Sequence, residues 1–302
     1  MKKIAIIGGG VAGLTAAVYA LRANAQVTLF EQYGLGGLVA TIDVVENYPS
    51  YKSVEGWQLA QSIADQAKAL GLQVTRQRVV SLTKEADEFV VQTDKQTYRF
   101  PAVVVSSGTS HNKLGIETPW VGRGVSYCAT CDGNFFRDKN VVVVGSGNQA
   151  VKEALYLSDI AASVTVLAGE SFVAEQKDVN RLTQKNNVCV LFDSSIVEIV
   201  GADVVSAVKV DADGELKTLS ADGIFVATGA VPVTDFVRID GVKNSKGYLM
   251  TDGKQETPTI GLFAAGDVSD GALKQIVTAC GDGAKAGTFA CVRAAEFNAK
   301  KR

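Results

Sequence analysis

The feature that most restricts the fold is a glycine-rich loop set between a strand and a helix. Residues 4–7 are apolar and mostly β-branched, which predicts a buried parallel strand. The loop Gly8-Gly9-Gly10-Val11-Ala12-Gly13 follows, and residues 14–21 predict a helix. Glycines at this spacing let the backbone approach a pyrophosphate at the helix N-terminus. The next predicted strand ends at Glu31, a carboxylate placed to accept hydrogen bonds from ribose hydroxyls. The pattern indicates a dinucleotide site, with a glycine turn that binds nothing as the alternative.

The same pattern recurs further along the chain. Residues 141–144 predict a strand, Gly145-Ser146-Gly147-Asn148-Gln149-Ala150 forms a second glycine loop, and residues 151–157 predict a helix. Near the end, Phe263-Ala264-Ala265-Gly266-Asp267 reads as a strand that ends in an acid and precedes a final helix. We therefore predict an α/β protein with two Rossmann-like, three-layer dinucleotide-binding domains, the second inserted in the first. The predicted boundaries are 1–112 with 242–302 for the first domain and 113–241 for the second.

A cysteine pair, Cys128-Ala129-Thr130-Cys131, lies between the two loops and is followed by Asp132. No second Cys or His pair stands at metal-binding spacing, because Cys189 is isolated and His111 is the single histidine. Asp132 is placed to carry a proton to or from a thiolate. The pattern favours a redox disulfide, and no metal is predicted. A metal site or a pair of inert thiols are the alternatives.

Composition excludes several functional classes. The 302 residues are 47% hydrophobic and carry a net charge of −2, so no global field would attract nucleic acid or an anionic membrane. The apolar start turns into the glycine loop too early for a signal peptide, and no apolar run is long enough to span a bilayer. Five cysteines, one pair at motif spacing, predict a reduced cytoplasmic protein with one redox pair. Cys189, Cys280 and Cys291 are predicted to be core thiols.

The order and spacing of these motifs resemble the low-molecular-weight thioredoxin reductases over essentially the whole chain. The motifs that carry the resemblance are Gly8–Gly13, Gly36-Gly37, Glu46-Asn47-Tyr48-Pro49, Cys128–Gly133, Gly145–Ala150, Ala264–Val268 and Lys274-Gln275. The resemblance implies an oxidoreductase that binds FAD in the first domain. It also implies a redox disulfide in the second, NAD(P)H-type domain, and a homodimer.

The resemblance assigns roles to individual residues. Cys131 corresponds to the thiol that faces the flavin, Cys128 to the thiol that attacks the partner disulfide, and Asp132 to the proton shuttle. Because the single histidine lies in a loop near residue 111, a histidine acid is not expected. The implied FAD-binding residues are Gly8, Gly10, Ala12, Gly13, Glu31, Gln32, Gly36, Gly37, Leu38, Asn47, Gly108, Gly266, Asp267, Lys274, Gln275 and Ile276.

The chain departs from the family pattern after the strand that follows the second glycine loop. NADPH-dependent members carry a His-Arg-Arg run there and a further arginine, and paired guanidiniums suit the 2′-phosphate dianion. Here the run reads Ala168-Gly169-Glu170, and the later position is Val173. The positive charges are missing, and the carboxylate of Glu170 would repel a dianion. The glycine loop therefore persists without the NADPH determinants. Leu38 is a smaller departure, since the family often has a polar residue there.

Four electron routes remain open. Reduced ferredoxin is the favoured donor, as in the ferredoxin-dependent flavin thioredoxin reductases, which share the architecture and lack the NADPH motif. NADH is the second, with Glu170 on the ribose hydroxyls. A second flavin or an empty second site is the third, and a dithiol oxidase running in reverse is the fourth. The expected function is a flavin-dependent disulfide reductase that passes electrons to Cys128–Cys131 and on to thioredoxin or a thioredoxin-like protein. A non-catalytic flavin-binding scaffold is the alternative from another class.

Overall fold

The chain forms two compact units in a computed structural model that describes residues 2–42 and 44–300. One unit comprises Met1–Ser110 with Val231–Arg302, and the other comprises His111–Ala230. The second unit is therefore inserted in the first. With a parallel sheet in each unit, this confirms the predicted α/β fold class.

The strands, in chain order, are β1 (Lys3–Ile7), β2 (Gln26–Phe30), β3 (Gln73–Thr75), β4 (Val79–Glu85), β5 (Glu88–Thr93), β6 (Thr97–Phe100), β7 (Ala102–Val105), β8 (Thr109–His111), β9 (Val125–Ser126), β10 (Asn140–Val144), β11 (Ser163–Leu167), β12 (Val188–Leu191), β13 (Ser194–Gly201), β14 (Val205–Ala212), β15 (Glu215–Ser220), β16 (Gly223–Val226), β17 (Ala230–Pro232) and β18 (Leu262–Ala264). The α-helices are α1 (Val11–Arg22), α2 (Gly56–Ala69), α3 (Ala129–Asp132), α4 (Asn148–Ser158), α5 (Gln176–Thr183) and α6 (Ile276–Lys300). Short 3₁₀ helices lie at Gly37–Thr41, Thr118–Trp120, Gly133–Phe136 and Gly266–Val268.

A parallel sheet of order β18-β7-β1-β2-β3 lies at the centre of the first unit. Its two faces are covered differently, because successive side chains of a strand point to opposite faces. Ile4 and Ile6 of β1 pack against α1, α2 and α6. Ala5 and Ile7 pack against the antiparallel sheet β4-β5-β6. The result is three layers, with the glycine loop at the carboxyl end of the central strand.

The second unit repeats this arrangement. Its parallel sheet has the order β12-β11-β10-β16-β9, and Val141 of β10 pairs with Val164 on one side and Gly223 on the other. Val141 and Val143 face α4 and α5. Val142 and Val144 face the antiparallel sheet β13-β14-β15. The second glycine loop therefore has the same position relative to its central strand as the first.

The chain returns from the second unit to the first after Ala230, whereas the sequence predicted the end of the second domain at residue 241. The segment after it is fixed to β4 of the first unit. The Leu82 N–H donates to the Phe236 carbonyl at 2.7 Å, and the Arg238 N–H donates to the Leu82 carbonyl at 2.8 Å. Val237 and Val242 are buried in the same cluster as Leu82. These contacts are distant in sequence, so no local pattern could place the boundary.

The longest helix of the described residues, α6, has 25 residues and carries charged side chains along its length, such as Asp282, Lys285 and Arg293. Within residues 2–42 and 44–300, no helix combines the length and apolar character that a membrane crossing requires.

Candidate FAD cavity and redox disulfide

The first glycine loop is packed too closely to accept side chains at two of its positions. Gly8 has φ +106°, and a Cβ there would lie 2.4 Å from the Ser106 carbonyl oxygen. A Cβ on Gly13 would lie 2.0 Å from the Gly8 carbonyl oxygen. Gly10 caps α1 without a side-chain hydrogen bond, and the first turn of α1 carries no acid. The N–H groups of that turn are thus available to an anion.

Glu31 follows β2, and its carboxylate is hydrogen-bonded to the first glycine loop. One of its oxygens accepts a hydrogen bond from the Gly9 N–H at 2.8 Å, and the other accepts one from the Tyr33 N–H at 2.8 Å. Each carboxylate oxygen has two acceptor sites, so capacity for ribose hydroxyls remains. The carboxylate therefore shapes the loop and can also bind a ligand.

A cavity of about 590 Å³ opens at this edge of the sheet, within the usual range for small-molecule sites. Most of the residues predicted to bind the cofactor line it: Gly8, Gly10, Ala12, Glu31, Gln32, Gly36, Gly37, Leu38, Gly108, Gly266 and Asp267. A Cβ on Gly108 would meet nothing within 4 Å, and its φ of +68° favours glycine. The cavity thus has the glycine-lined wall that a dinucleotide requires.

The other predicted residues are not in the lining: Gly13, Asn47, Lys274, Gln275 and Ile276. Gly13 lies behind the loop, where it permits close packing. Asn47 donates to the Gln275 side-chain oxygen at 3.1 Å, so these two residues of distant segments do come together.

Lys274 is directed toward other groups of the first unit. Its ammonium donates to the Ser269 carbonyl and lies 4.9 Å from the centre of the Tyr248 ring. Burial lowers the pKa of Lys274, against the attraction of Asp267 and other acids nearby. Burial also raises the pKa of Asp267, against the attraction of Lys274.

Sequence reasoning missed several residues of the cavity wall: Ser106 and Ser107 after β7, Gln77 and Arg78 before β4, and Val233 and Phe236. A signal existed for the two serines. They follow a strand that pairs in parallel with β1, so they had to lie beside the glycine loop. Val233 and Phe236 return from beyond the inserted unit, and no local pattern marks them.

In the second unit, Cys128 and Cys131 form a disulfide with their Cα atoms 5.3 Å apart. The Cys131 and Asp132 N–H groups donate to the Cys128 carbonyl at 3.2 and 3.1 Å, which winds the pair into the short helix α3. Both cysteines are partly buried. The Thr130 hydroxyl lies 3.4 Å from the Cys128 sulfur. Of the three alternatives for this motif, a disulfide, a metal site or a pair of inert thiols, the structure contains the disulfide.

Three acidic side chains surround this disulfide segment. The Asp132 carboxylate accepts a hydrogen bond from the Ser126 hydroxyl at 2.5 Å. Glu117 is buried and accepts from the Tyr127 hydroxyl at 2.7 Å. Burial raises the pKa of Glu153 on α4 to about 7, against hydrogen bonds from Gln149 and the Ala129 N–H. Sequence reasoning identified Asp132 alone, because the others have no motif spacing.

The second glycine loop is also closely packed. Gly145 has φ +145°, and a Cβ there would lie 2.4 Å from the Ala227 carbonyl oxygen. Two of its residues bind the segment that follows β11. The Ser146 hydroxyl accepts from the Gly169 N–H at 2.8 Å, and the Asn148 side chain accepts from the Glu175 N–H at 2.7 Å. Residues 169–175 therefore lie against the loop.

The charged residues of that segment are both acidic, Glu170 and Glu175. Glu170 and Val173 are exposed. The ammonium groups of Lys152 and Lys177 lie 3.9 and 3.0 Å from Glu175. A hydrogen bond from Lys177 lowers the pKa of Glu175, so this carboxylate stays ionised. Lys152 and Lys177 thus each have a carboxylate beside them.

Comparison with known proteins agrees with this geometry. A family profile described as pyridine nucleotide-disulphide oxidoreductase matches residues 2–283. The chain is 39% identical over 289 residues to the thioredoxin reductase of Treponema pallidum, covering 94% of both chains. The crystal structure of thioredoxin reductase from Streptococcus pyogenes superposes with a TM-score of 0.91 at 35% identity, covering 98% of this chain and 99% of that one.

A ferredoxin-flavin thioredoxin reductase from Clostridium acetobutylicum superposes with a TM-score of 0.55 at 26% identity, covering 99% of this chain and all (100%) of that one. The family match and the identity over nearly the whole length establish both the enzyme class and the cofactor. The chain therefore belongs to the pyridine nucleotide-disulphide oxidoreductases, among the low-molecular-weight thioredoxin reductases, which are FAD-binding oxidoreductases.

Proposed function

We propose that this chain is a disulfide reductase that uses FAD and reduces thioredoxin or a thioredoxin-like protein through Cys128 and Cys131. We further propose reduced ferredoxin, rather than NADPH, as the electron donor. The observation that carries the first proposal is the Cys128–Cys131 disulfide, followed directly in the chain by Asp132, whose carboxylate is hydrogen-bonded to Ser126. The thioredoxin reductases of Treponema pallidum and Streptococcus pyogenes support the choice of partner.

The first unit offers a site that fits FAD. The uncapped N-terminus of α1 and the glycines of its loop would hold the pyrophosphate, and Glu31 would accept from the ribose. Gly108, Gly266 and Asp267 line the same cavity. Bound there and reduced by the electron donor, the flavin would pass on the two electrons that open the disulfide.

The chain's own residues handle the remaining chemistry. When the S–S bond breaks, two electrons and two protons convert Cys128 and Cys131 to thiols, and Asp132 carries a proton. The Cys128 thiolate then attacks the partner's disulfide and forms a mixed disulfide, releasing one partner thiolate. Cys131 attacks Cys128 in turn, which restores the disulfide and releases the second thiolate. The two protons of the enzyme dithiol end on the partner.

The donor proposal depends on electrostatics at the second glycine loop. A 2′-phosphate needs positive charge there, and relatives that use NADPH would supply it with guanidinium groups. In this chain Glu170 and Val173 stand on the segment against the loop, and Glu175 lies beside Lys152 and Lys177. The Clostridium acetobutylicum enzyme is named for ferredoxin and flavin, so ferredoxin is a donor compatible with this architecture.

NADH is the second candidate donor, and one observation favours it. The second loop keeps the packed glycine turn, and α4 begins without a side-chain cap or an acid in its first turn. Such a helix N-terminus accepts a pyrophosphate whether or not a 2′-phosphate is present. Glu170 follows β11, where a carboxylate would accept from ribose hydroxyls.

We also propose that the chain acts in the cytoplasm as a homodimer, as the family resemblance implies. Light scattering coupled to size-exclusion chromatography measures the oligomeric state, since a dimer has twice the 31.7 kDa mass of the chain.

The donor test is anaerobic. The FAD-loaded protein is mixed separately with NADPH, with NADH and with a [4Fe–4S] ferredoxin that has been reduced with dithionite and desalted, and flavin bleaching is followed. We expect rapid bleaching by ferredoxin only. Rapid bleaching by micromolar NADPH would show that the donor proposal is wrong, and bleaching by NADH would establish the second candidate.

The disulfide test uses Cys128→Ser. A disulfide reductase loses thioredoxin reduction in this variant while still binding FAD. A flavin-binding scaffold would be indifferent to the substitution. The Cys189→Ser variant is the matched control, because Cys189 is an exposed free thiol on β12.

A further inference from the structure

Ser126 forms a connection between the two ends of the redox motif. It lies on β9, where it pairs with Phe225 of β16, and its side chain is buried. Its hydroxyl oxygen accepts the Cys128 N–H at 3.0 Å. The same hydroxyl donates to the Asp132 carboxylate at 2.5 Å. A hydroxyl has one proton to donate, and here the shortest contact directs it to Asp132.

The connection is geometrically restrained on both sides. The Asp132 N–H donates to the Cys128 carbonyl at 3.1 Å, so the backbone of the acid is already fixed to that of the cysteine. Ser126 adds a second link through the side chains. Because a buried hydroxyl without partners is costly, this arrangement is held firmly in the folded protein.

The position of Asp132 matters for the reaction. General acid–base catalysis requires the group to lie within hydrogen-bond reach of the proton it moves. A free aspartate has two rotatable bonds in its side chain and would sample other orientations. A hydrogen bond from a strand residue removes that freedom.

We propose that Ser126 is the positioning residue of the redox pair: its hydroxyl holds the Asp132 carboxylate at a fixed place relative to Cys128, so that one carboxylate serves the proton transfers of the dithiol. The inference builds on the proposed disulfide exchange and deepens it. The protons are those released by the Cys128 and Cys131 thiols when the enzyme disulfide re-forms and the partner disulfide becomes a dithiol.

The test isolates one half-reaction. The protein is reduced with dithiothreitol and desalted anaerobically, and its oxidation by the disulfide of a bacterial thioredoxin is followed by stopped flow across pH. The Cys128→Ser variant supplies the blank. This assay does not involve the electron donor, so it stands apart from the ferredoxin question.

We expect Ser126→Ala to slow the exchange roughly tenfold, less than the loss of about a hundredfold expected for Asp132→Asn. The pH profile of Ser126→Ala should be displaced from that of the wild type. Ser126→Ala should add no further loss in the Asp132→Asn background, because the serine acts through the aspartate. The matched control is Ser163→Ala, which removes a 2.7 Å hydrogen bond to Asn140 elsewhere in the same unit and should leave the rate unchanged.

A pair of near-isosteric variants guards against misfolding. Ser126→Thr keeps the hydroxyl, and Ser126→Val replaces it with a methyl group of similar size. Recovery of the rate in the threonine variant, but not in the valine variant, supports the proposal even if Ser126→Ala does not fold. Equal rates in these two variants, or additive losses in the double variant with Asp132→Asn, would overturn it. If the reduced wild type does not react with thioredoxin at all, the proposed function fails instead.

Discussion

Glu31 and Gly9 are joined by a hydrogen bond of 2.8 Å from the backbone N–H to the carboxylate. The bond connects the end of β2 to the glycine loop after β1, so one side chain both positions the loop and faces the cavity. Glu31→Ala should therefore weaken FAD binding about 10- to 100-fold, because it removes a charge-assisted hydrogen bond from the loop and an acceptor for the ribose.

Flavin fluorescence during titration of the apoprotein measures this change. Glu85→Ala is the control, since Glu85 forms an exposed surface pair with Arg99 in the same unit. If the two variants bound FAD equally well, Glu31 would have no part in the cofactor site.

Glu256 and Arg293 form a bidentate pair, with both nitrogen–oxygen distances at 2.7 Å. Burial opposes ionisation of Glu256, but hydrogen bonds from Arg293 and the Gly261 N–H outweigh it and lower its pKa below 4.5. A lowered pKa means that the pair stabilises the fold at neutral pH and that this contribution is lost as the pH falls below about 4.5. We expect Glu256→Gln to destabilise the protein by about 2–4 kcal/mol at pH 7 and by up to about 0.8 kcal/mol less than that near pH 4.

Thermal unfolding at the two pH values, with FAD at constant excess, provides the measurement. The control is Glu198→Gln, because Glu198 and Lys209 form a pair that is about half exposed on β13 and β14. Such pairs contribute roughly 0–1 kcal/mol. A uniform loss of stability at both pH values would contradict the assigned ionisation.

The sequence predicts the parts of the site that repeat a local pattern. Gly8, Gly10 and Glu31 could be predicted in this way because strand, loop and helix follow one another directly in the chain. Cys128, Cys131 and Asp132 were accessible as a contiguous motif, whereas Ser126 was not. Its role depends on hydrogen bonds that form only when β9 joins the sheet and α3 winds next to it.

The prediction that Cys189 is a core thiol is wrong. Its apolar neighbours predict a strand in the core, and the strand exists as β12, but the side chain is exposed. β12 is the edge strand of its sheet, and an edge strand can leave one side in solvent. Hydrophobicity alone cannot distinguish an edge strand from a central one. Cys291 is buried as predicted, and Cys280 is partly buried.

The effect of charge at the second glycine loop can be tested by adding positive side chains there. Glu170→Arg combined with Val173→Arg places two guanidinium groups on the segment held against Ser146 and Asn148. We expect the double variant to bind NADP⁺ at least about tenfold more tightly than the wild type, through charge-assisted hydrogen bonds to the 2′-phosphate.

Isothermal titration calorimetry compares NADP⁺ with NAD⁺, which lacks the 2′-phosphate and should gain little. The control is Glu215→Arg, an exposed position on β15. An equal gain for both nucleotides would reflect a non-specific effect of positive charge.

Glu153 offers a pH-dependent test of the second unit. One carboxyl oxygen accepts from the Gln149 side chain at 2.9 Å, and the other is buried. Burial raises its pKa to about 7, from 4.5 in the unfolded chain. An acid with a raised pKa binds its proton more tightly in the folded state, so stability falls as the pH rises from about 4.5 to about 7 and then stays level.

Glu153→Gln removes the charge at every pH and keeps the shape of the side chain. Relative to the wild type, the variant should gain stability as the pH rises, by about 2 kcal/mol between pH 5.5 and pH 8. Thermal unfolding of both proteins across that range measures the gain, and comparison of the two removes the effect of every other titrating group. Glu198→Gln is the control, because this side chain is about half exposed beside Lys209. A constant difference between Glu153→Gln and wild type at all pH values would mean that the Glu153 carboxyl is ionised in the folded protein throughout, and that the buried oxygen has access to water.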